Sequence, residues 1–494
     1  MRFPPRRMNC GILSPSAVAL NEKGGTFAAR VNLLGLASMR SIPVSSRSRA
    51  AILAFCLSLL LSACAAKGPL VPPDPPEVRD VTDLPQDLFA YLGPDGGRSV
   101  FTPDVQAGML RGFLTGHFAP WERTSPPKDP GDAFWGLNHF AAKKVYGENL
   151  LRRSPAWMAE MRRLSRPEDF PNFGRPAVAV VHTSLRVLPT LEPAFLNRHL
   201  PGEGFPFDYL QNTAIWAGTP LYLSHLSADG AFALAHCRYA SGWVPLADVA
   251  FAGSEFRKKF QSAPLVTVTR DRVPLADEHG LFRFEARVGM LLPLARATAR
   301  GYEVLLPVRD ARGEAVTVRG LLPPSAAAPL PLPATAANLA RVGGSMLGEP
   351  YGWGGMYGHR DCSALLMDLY TPFGLGLPRN SRQQGKAGEY ISLEGLSDQD
   401  KETAILARGV PFATLLWKPG HIMLYVGELG GRAMILHDVW GLRTEERGRE
   451  GRHIIGRVAV TTLTPGEELP ELEKPEGLLL HTIRGMVLLG SKNP

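Results

Sequence analysis

The 494-residue sequence predicts a multidomain protein with a mainly helical N-terminal region, two small β-barrels and a C-terminal α+β domain. Three observations point there. The chain is too long for one hydrophobic core, so several domains are expected. Its composition, 45% hydrophobic and 20% charged, is that of a globular protein, neither disordered nor multi-spanning. The apolar pattern also changes period: helical spacing gives way to alternation from residue 172, and a Pro/Ala-rich stretch at 322–333 separates the alternating part from a mixed C-terminal part.

The formal net charge is +8, but its distribution matters more than its sum. Residues 1–63 hold eight basic residues (Arg2, Arg6, Arg7, Lys23, Arg30, Arg40, Arg47, Arg49) against one acid, Glu22, a net of +7 that leaves +1 for the rest. The basic surplus belongs to this leader, and no nucleic-acid partner is expected. Arg47 and Arg49 precede an apolar run over 51–61, the length of a signal-peptide core and short for a bilayer span. The run closes on Leu61-Ser62-Ala63-Cys64, which resembles the bacterial lipobox, where the cysteine is lipidated and becomes the mature N-terminus. Residues 1–63 thus read as a leader, with Met39 the expected start because it gives a basic stretch of ordinary length. Residues 64–79 read as a Pro-rich, lipid-anchored tether. The expected location is the periplasmic face of a membrane, with Ala65 after the cysteine favouring the outer one. Of five cysteines only Cys237 and Cys362 remain in the exported body, which is no disulfide framework.

Residues 80–171 form the helical region. Segments 105–118 and 155–164 have helical apolar spacing, and Trp121, Trp135 and Trp157 are the expected core anchors. Short strands follow at 178–181, 221–223, 232–235 and 242–244, giving a first barrel over 172–262. A second set at 265–268, 288–291, 302–306 and 315–318 gives another over 263–326. Gly242-Trp243-Val244 resembles the closing strand of bacterial SH3-type domains, with Trp243 in the core. Residues 322–333 read as a linker, and the domain over 327–494 opens with a helix at 335–347.

That last domain carries the chemistry. A glycine-rich turn, Tyr351-Gly352-Trp353-Gly354-Gly355, runs towards Asp361-Cys362-Ser363, after which Leu365, Leu366 and Leu369 mark a helix. Asp361 is placed as its N-cap, so Cys362 falls in the first turn, where the helix dipole favours the thiolate that attacks. Farther on, 421–426 and 433–437 read as two strands around a turn at 428–431. A hairpin centred on Leu429 sets His421 opposite His437 on one face, about 5 Å apart at Cβ. One imidazole can then take the cysteine proton while the other fixes its tautomer.

Tyr351-Gly352-Trp353-Gly354-Gly355, Asp361-Cys362-Ser363, Gly420-His421-Ile422 and His437 together resemble the NlpC/P60 family of cell-wall cysteine peptidases, over about 340–490. The family's domain is a relative of the papain fold. The order of helical stabilising region, two SH3-type barrels and peptidase resembles the subgroup that cuts the γ-D-glutamyl–diamino acid bond of peptidoglycan stem peptides. The resemblance implies Cys362 as nucleophile, His421 as general base, His437 as orienting residue and Tyr351 as a partner of the backbone in the oxyanion site. It implies Asp361 and Ser363 as ligands of a free L-Ala amine. In Leu377-Pro378-Arg379-Asn380-Ser381, it implies Arg379 and Ser381 as ligands of the D-Glu α-carboxylate. A first-barrel tyrosine, Tyr209 or Tyr239, would wall the pocket. The expected substrate is a stem peptide with a free N-terminal L-Ala, and no cofactor is expected.

Other chemistries lack their signatures. There is no His-Glu-x-x-His, Cys-x-x-Cys or phosphate loop, so no metal is expected, and Gly343-Gly344-Ser345-Met346-Leu347 lacks the final glycine of a serine-hydrolase elbow. The alternatives are a non-catalytic wall-binding lipoprotein built on degenerate modules and a cysteine amidase or acyltransferase on the same fold. The intact Cys362, His421 and His437 favour the peptidase.

Overall fold

The two longest helices of the N-terminal region start at a short polar cap followed by proline. The computed structural model describes residues 76–94, 96–127 and 133–491, so Cys64 and the leader lie outside the described residues. After a short α1 (Arg79–Asp83), α2 (Pro103–Glu122) starts with Pro103 behind Thr102, whose hydroxyl accepts from the Val105 amide at 3.4 Å. Helices α3 (Trp135–Ala141) and α4 (Pro155–Ser165) follow, the latter capped by Ser154. Of the three expected anchors only Trp121 belongs to the core, its indole N–H donating to the Ala177 carbonyl at 2.7 Å. Trp135 is 44% exposed because α3 buries Gly136, Leu137 and Phe140, which turns residue 135 outward. Trp157 is part-buried and donates to Glu192 at 2.6 Å.

The first SH3-type region holds β1 (Arg175–Ala179), β2 (Thr183–Arg186), β3 (Gln211–Ile215), β4 (Pro220–Leu226), β5 (Phe232–His236), β6 (Ser241–Pro245) and β7 (Val249–Phe251). They form one sheet in the order β3-β2-β6-β5-β4-β1-β7, and Trp243 is 1% exposed within its core. After α5 (Ser254–Ser262) come β8 (Leu265–Val268), β9 (Val273–Ala276), β10 (Phe282–Ala286), β11 (Leu291–Thr298), β12 (Gly301–Arg309), β13 (Ala315–Leu322) and β14 (Ala327–Pro329). These give a sheet β13-β12-β11-β8-β14 and a β9–β10 hairpin that alternation had not marked. Neither region is the closed barrel expected. Each sheet ends on a three-residue strand, β7 or β14, too short for a closing ladder. The supposed linker is a correction too: its residues 327–329 are β14, paired with β8. Proline and alanine suit such an edge strand as well as they suit a linker.

The last region starts with α6 (Ala336–Gly344), capped by Thr335, followed by α7 (Cys362–Tyr370) and α8 (Ser381–Gln384). Strand β15 (Glu389–Ser392) and α9 (Asp398–Arg408) lead into β16 (Thr414–Lys418), β17 (His421–Leu429), β18 (Arg432–Glu446) and β19 (Arg449–Thr461), with α10 (Leu479–Thr482) and β20 (Gly485–Leu488) last. The sheet runs β15-β20-β16-β17-β18-β19, antiparallel throughout. Leu365, Leu366 and Leu369 of α7 share a core with Ile422, Leu424, Leu436, Val458 and Val460. The helical region braces this domain: Gln106 of α2 donates to the Leu332 carbonyl at 2.7 Å and the Phe373 carbonyl at 3.0 Å.

Candidate active site

Cys362 is the first residue of α7, and Asp361 caps the helix by accepting from the amides of Ser363 at 3.1 Å and Ala364 at 2.9 Å. The dipole argument alone would leave the sulfur as thiolate. The structure corrects it: burial, then the negative charges of Asp361 and Asp438, push the thiol up to about 12 against the Ile422 amide and Arg379. The hydrogen bond from Ile422 to the sulfur sets the start of β17, and with it His421, against the nucleophile.

The two imidazoles meet. His421 Nε2 lies 3.0 Å from His437 Nδ1, and His437 Nε2 lies 3.1 Å from the Thr461 hydroxyl, which donates to the Thr462 carbonyl at 2.7 Å. That network assigns the tautomers. Thr461 has one hydrogen and gives it to a carbonyl, so it accepts from His437 Nε2–H. His437 Nδ1 then accepts from His421 Nε2–H, which leaves His421 Nδ1 as the open base. Burial, then His437 and Lys418, hold His421 well below its usual value, and burial lowers His437 to about 3.

The hairpin reaches this geometry by another register than expected. Gly430 and Gly431, both at positive φ (60° and 80°), form the turn, so Leu429 pairs with Arg432. A bulge between Tyr425 and Gly427 then shifts the ladder to Leu424 opposite Leu436. His421 and His437 are therefore diagonal neighbours, two residues out of direct opposition and still on one face. Thr461, on β19, carried no signal in the sequence.

Tyr351 lies on a segment held by β19, its amide donating to the Gly456 carbonyl at 2.8 Å, and its ring sits 5.8 Å from that of Trp440. Burial, then the charges of Cys362, Asp361 and Asp438, raise its pKa, so the phenol keeps its proton and can donate. Asp361 and Arg379 bind each other: the guanidinium reaches the two carboxylate oxygens at 3.0 and 2.7 Å, and also meets Ser363 Oγ at 2.9 Å and Thr213 Oγ1 of β3 at 2.6 Å. Burial raises the Asp361 pKa, and Arg379 more than reverses it. Ser381 opens α8 with no side-chain hydrogen bond among the described residues. That helix is tied to the site by Gln384, which donates to the Ser363 and Pro378 carbonyls at 2.8 Å each.

Both SH3-type regions reach the segments that flank Cys362. Gly354 and Gly355 hold positive φ (59° and 88°), and a Cβ on either would strike Gln211 or Ala214 of β3. Phe207 stacks edge-on against Trp353 (5.2 Å) and Trp440 (5.6 Å), and the Tyr209 ring lies 6.0 Å from Trp353. Tyr239 instead donates to the Ala214 carbonyl at 3.4 Å. From the second region Asp271 pairs with Arg360 at 2.6 Å, and Arg360 also binds Glu349 at 3.0 Å and Asp368 of α7 at 2.7 Å. Reading motifs in sequence missed this cluster, and it missed Asp438, which is fully buried with both oxygens unpaired. Burial, then Asp361, raise the Asp438 pKa well above the usual value.

A helix-start cysteine beside a strand-borne pair of imidazoles, on an α+β domain of this topology, defines the class of cysteine peptidases. Family profiles match in chain order: the NLPC_P60 stabilising domain over residues 53–170, an SH3 domain of SH3b1 type over 193–245, an SH3 domain of SH3b2 type over 254–299, and the NlpC/P60 family over 348–445. The chain thus carries an NlpC/P60 domain behind a stabilising domain and two SH3 domains. It is 34% identical over 67 residues to the γ-D-glutamyl-L-lysine dipeptidyl-peptidase of Bacillus subtilis (strain 168), a match spanning 13% of this chain and 23% of that protein. The fold is that of an NlpC/P60 endopeptidase from Photobacterium damselae subsp. piscicida, with a TM-score of 0.76 and 24% identity over 85% of this chain and 99% of that one. An NlpC/P60 family protein from Bacillus cereus ATCC 10987 aligns over 63% of this chain and 98% of its own at 17% identity, with a TM-score of 0.43.

Proposed function

We propose that the chain is a cysteine endopeptidase that hydrolyses the γ-D-glutamyl–meso-diaminopimelate bond of peptidoglycan stem peptides, those with a free N-terminal L-Ala, as an exported protein anchored through Cys64. The observation that carries this reading is the directed chain Thr461–His437–His421, on strands that pack against the helix that Cys362 opens. His421 Nδ1 takes the thiol proton as sulfur attacks the γ-carbonyl. The imidazolium returns its proton to the leaving amine as the C–N bond breaks, and water then hydrolyses the thioester. The Tyr351 hydroxyl, held protonated, serves as oxyanion donor. The name of the Bacillus subtilis relative supports a γ-D-glutamyl bond. The aromatic wall from the first SH3-type region supports a cleft closed at one end, suited to a short peptide rather than to intact wall.

Asp361 and Ser363 would receive the L-Ala amine, and Arg379 with Ser381 the D-Glu α-carboxylate. In the free protein Asp361 and Arg379 satisfy each other, so a substrate bearing both charges would slot between them, exchanging one ion pair for two. The experiment compares L-Ala-γ-D-Glu-diaminopimelate with its N-acetyl form. Acetylation should lower kcat/KM at least about a hundredfold, and Cys362→Ala should abolish turnover while Cys237→Ser leaves it near normal. Equal rates on the two peptides, or on intact sacculi, would refute the free-amine reading; an active Cys362→Ala would refute the nucleophile.

A further inference from the structure

The Pro419-Gly420 turn makes Lys418 and His421 the terminal pair of the β16–β17 hairpin, with Gly420 at φ 81°. Directly paired residues point to the same face of a sheet, so Lys418 and His421 share a face, and, after burial and His437, the lysine's charge lowers the imidazole's pKa. Lys418 and Pro419 also line an open pocket of about 500 Å³ whose other walls include Lys401, His481, Arg484 and Glu394.

The pocket's charges are unevenly satisfied. Lys401 donates to the Leu480 carbonyl at 3.2 Å and the His481 carbonyl at 2.5 Å, and His481 faces Asp398 at 3.3 Å. Lys418 and the Arg484 guanidinium have no ion pair or side-chain hydrogen bond among the described residues. Glu394, the one acid lining the pocket, is on its exposed rim. Burial, then Arg452 and Arg443, lower the Lys418 pKa, as expected of an uncompensated cation. A half-buried lysine without a counter-ion, one strand pairing from the proton-transferring imidazole, requires an anion.

We propose that Lys418, seconded by Arg484, is a carboxylate subsite on the leaving-group side of the scissile bond, filled by the free α-carboxylate of the diamino acid. The inference rests on the peptidase reading above. His421 hands its proton to the leaving nitrogen, so that nitrogen must lie at the imidazole. The carbon bearing it also bears the α-carboxyl, two bonds away, and the cation paired with His421 is within reach of that group. The chain would then favour stem peptides already trimmed to the diamino acid over those extended by D-Ala or amidated there.

The test measures kcat/KM on L-Ala-γ-D-Glu-diaminopimelate with its α-carboxyl free or as the carboxamide, using the full chain, Lys418→Met and Lys418→Arg. The wild type should prefer the acid at least about tenfold, the scale of one charge-assisted contact. Lys418→Met should lose at least about tenfold on the acid and far less on the amide, and Lys418→Arg should recover most of the preference. Lys418 also lowers the basicity of His421, but that acts on both substrates alike and cancels in their ratio. No preference in the wild type, or equal losses on both peptides, overturns the subsite while leaving the peptidase standing. Failure of the folded wild type to cut either peptide overturns the peptidase reading and the subsite with it.

Discussion

His437 accepts at Nδ1 and donates at Nε2, an arrangement possible only while it is neutral, and the fold enforces that by burying it completely. Folded, it protonates near 3, and unfolded, near its ordinary 6.5. Between those values the unfolded chain binds more protons, so this contribution to stability is complete above about 6.5 and is lost as pH falls towards 3. Each unit in that window costs about 1.4 kcal/mol for one such group. His117, also buried and lowered to about 3, adds a parallel loss. Urea unfolding at pH 7, 6 and 5 should therefore give stabilities falling with acid, and His437→Asn should shallow the slope by about one proton's worth. An unchanged slope would mean that the histidine is charged in the folded chain. The residues of this wire differ in how legible they were. Cys362, His421 and His437 stand in recognisable local patterns, whereas Thr461 becomes the terminal acceptor only because β19 pairs with β18. Asp438 looks in sequence like a polar strand residue; only the burial of its strand raises its pKa.

Helix α7 is held at its first turn from two sides, and the second side comes from a different region of the chain. Arg360, 1% exposed, is bound by Asp271, Glu349 and Asp368, and it also donates to the Val288 carbonyl at 2.9 Å. Removing one partner of such a buried set leaves charge uncompensated, at a cost of about 3–5 kcal/mol. Asp271→Ala should accordingly lower stability by that order in denaturant melts and cut kcat, although it lies in the second SH3-type region. A loss under 1 kcal/mol would show that Glu349 and Asp368 suffice alone. No local pattern could announce this cluster, because its members meet only through tertiary packing. The β17–β18 hairpin shows the opposite case. Alternation placed both histidines on one face; the turn at Gly430 and Gly431 shifts the expected pairing by three and the bulge at residues 425–427 takes one back, a net two that preserves the face. The face was kept only because the bulge offset the turn. The partner assignments were not kept.

From residue 75 onward the chain packs as one compact unit, though four family profiles divide it. The order of modules was readable from changes in hydrophobic period. The open edges of the two sheets and the strand inside the Pro/Ala stretch were not, because closure depends on strand lengths that composition does not set. Among the described residues no helix is long and apolar enough to cross a membrane. The proposed anchor predicts that Cys64→Ser moves the protein to the soluble fraction and that the native N-terminus carries diacylglycerol; an unmodified mature N-terminus elsewhere would exclude it.

The wall of the cleft is composite. Phe207 arrives from the first SH3-type region and closes on Trp353 and Trp440 of the catalytic one. For inhibitor design this sets where selectivity can be found. A warhead aimed at Cys362 alone meets only the thiol, whereas a scaffold contacting Phe207 and Trp440 together addresses a wall to which both regions contribute. Such a compound should spare peptidase domains that work without an SH3-type neighbour, and resistance to it could arise in a region that holds none of the reacting groups.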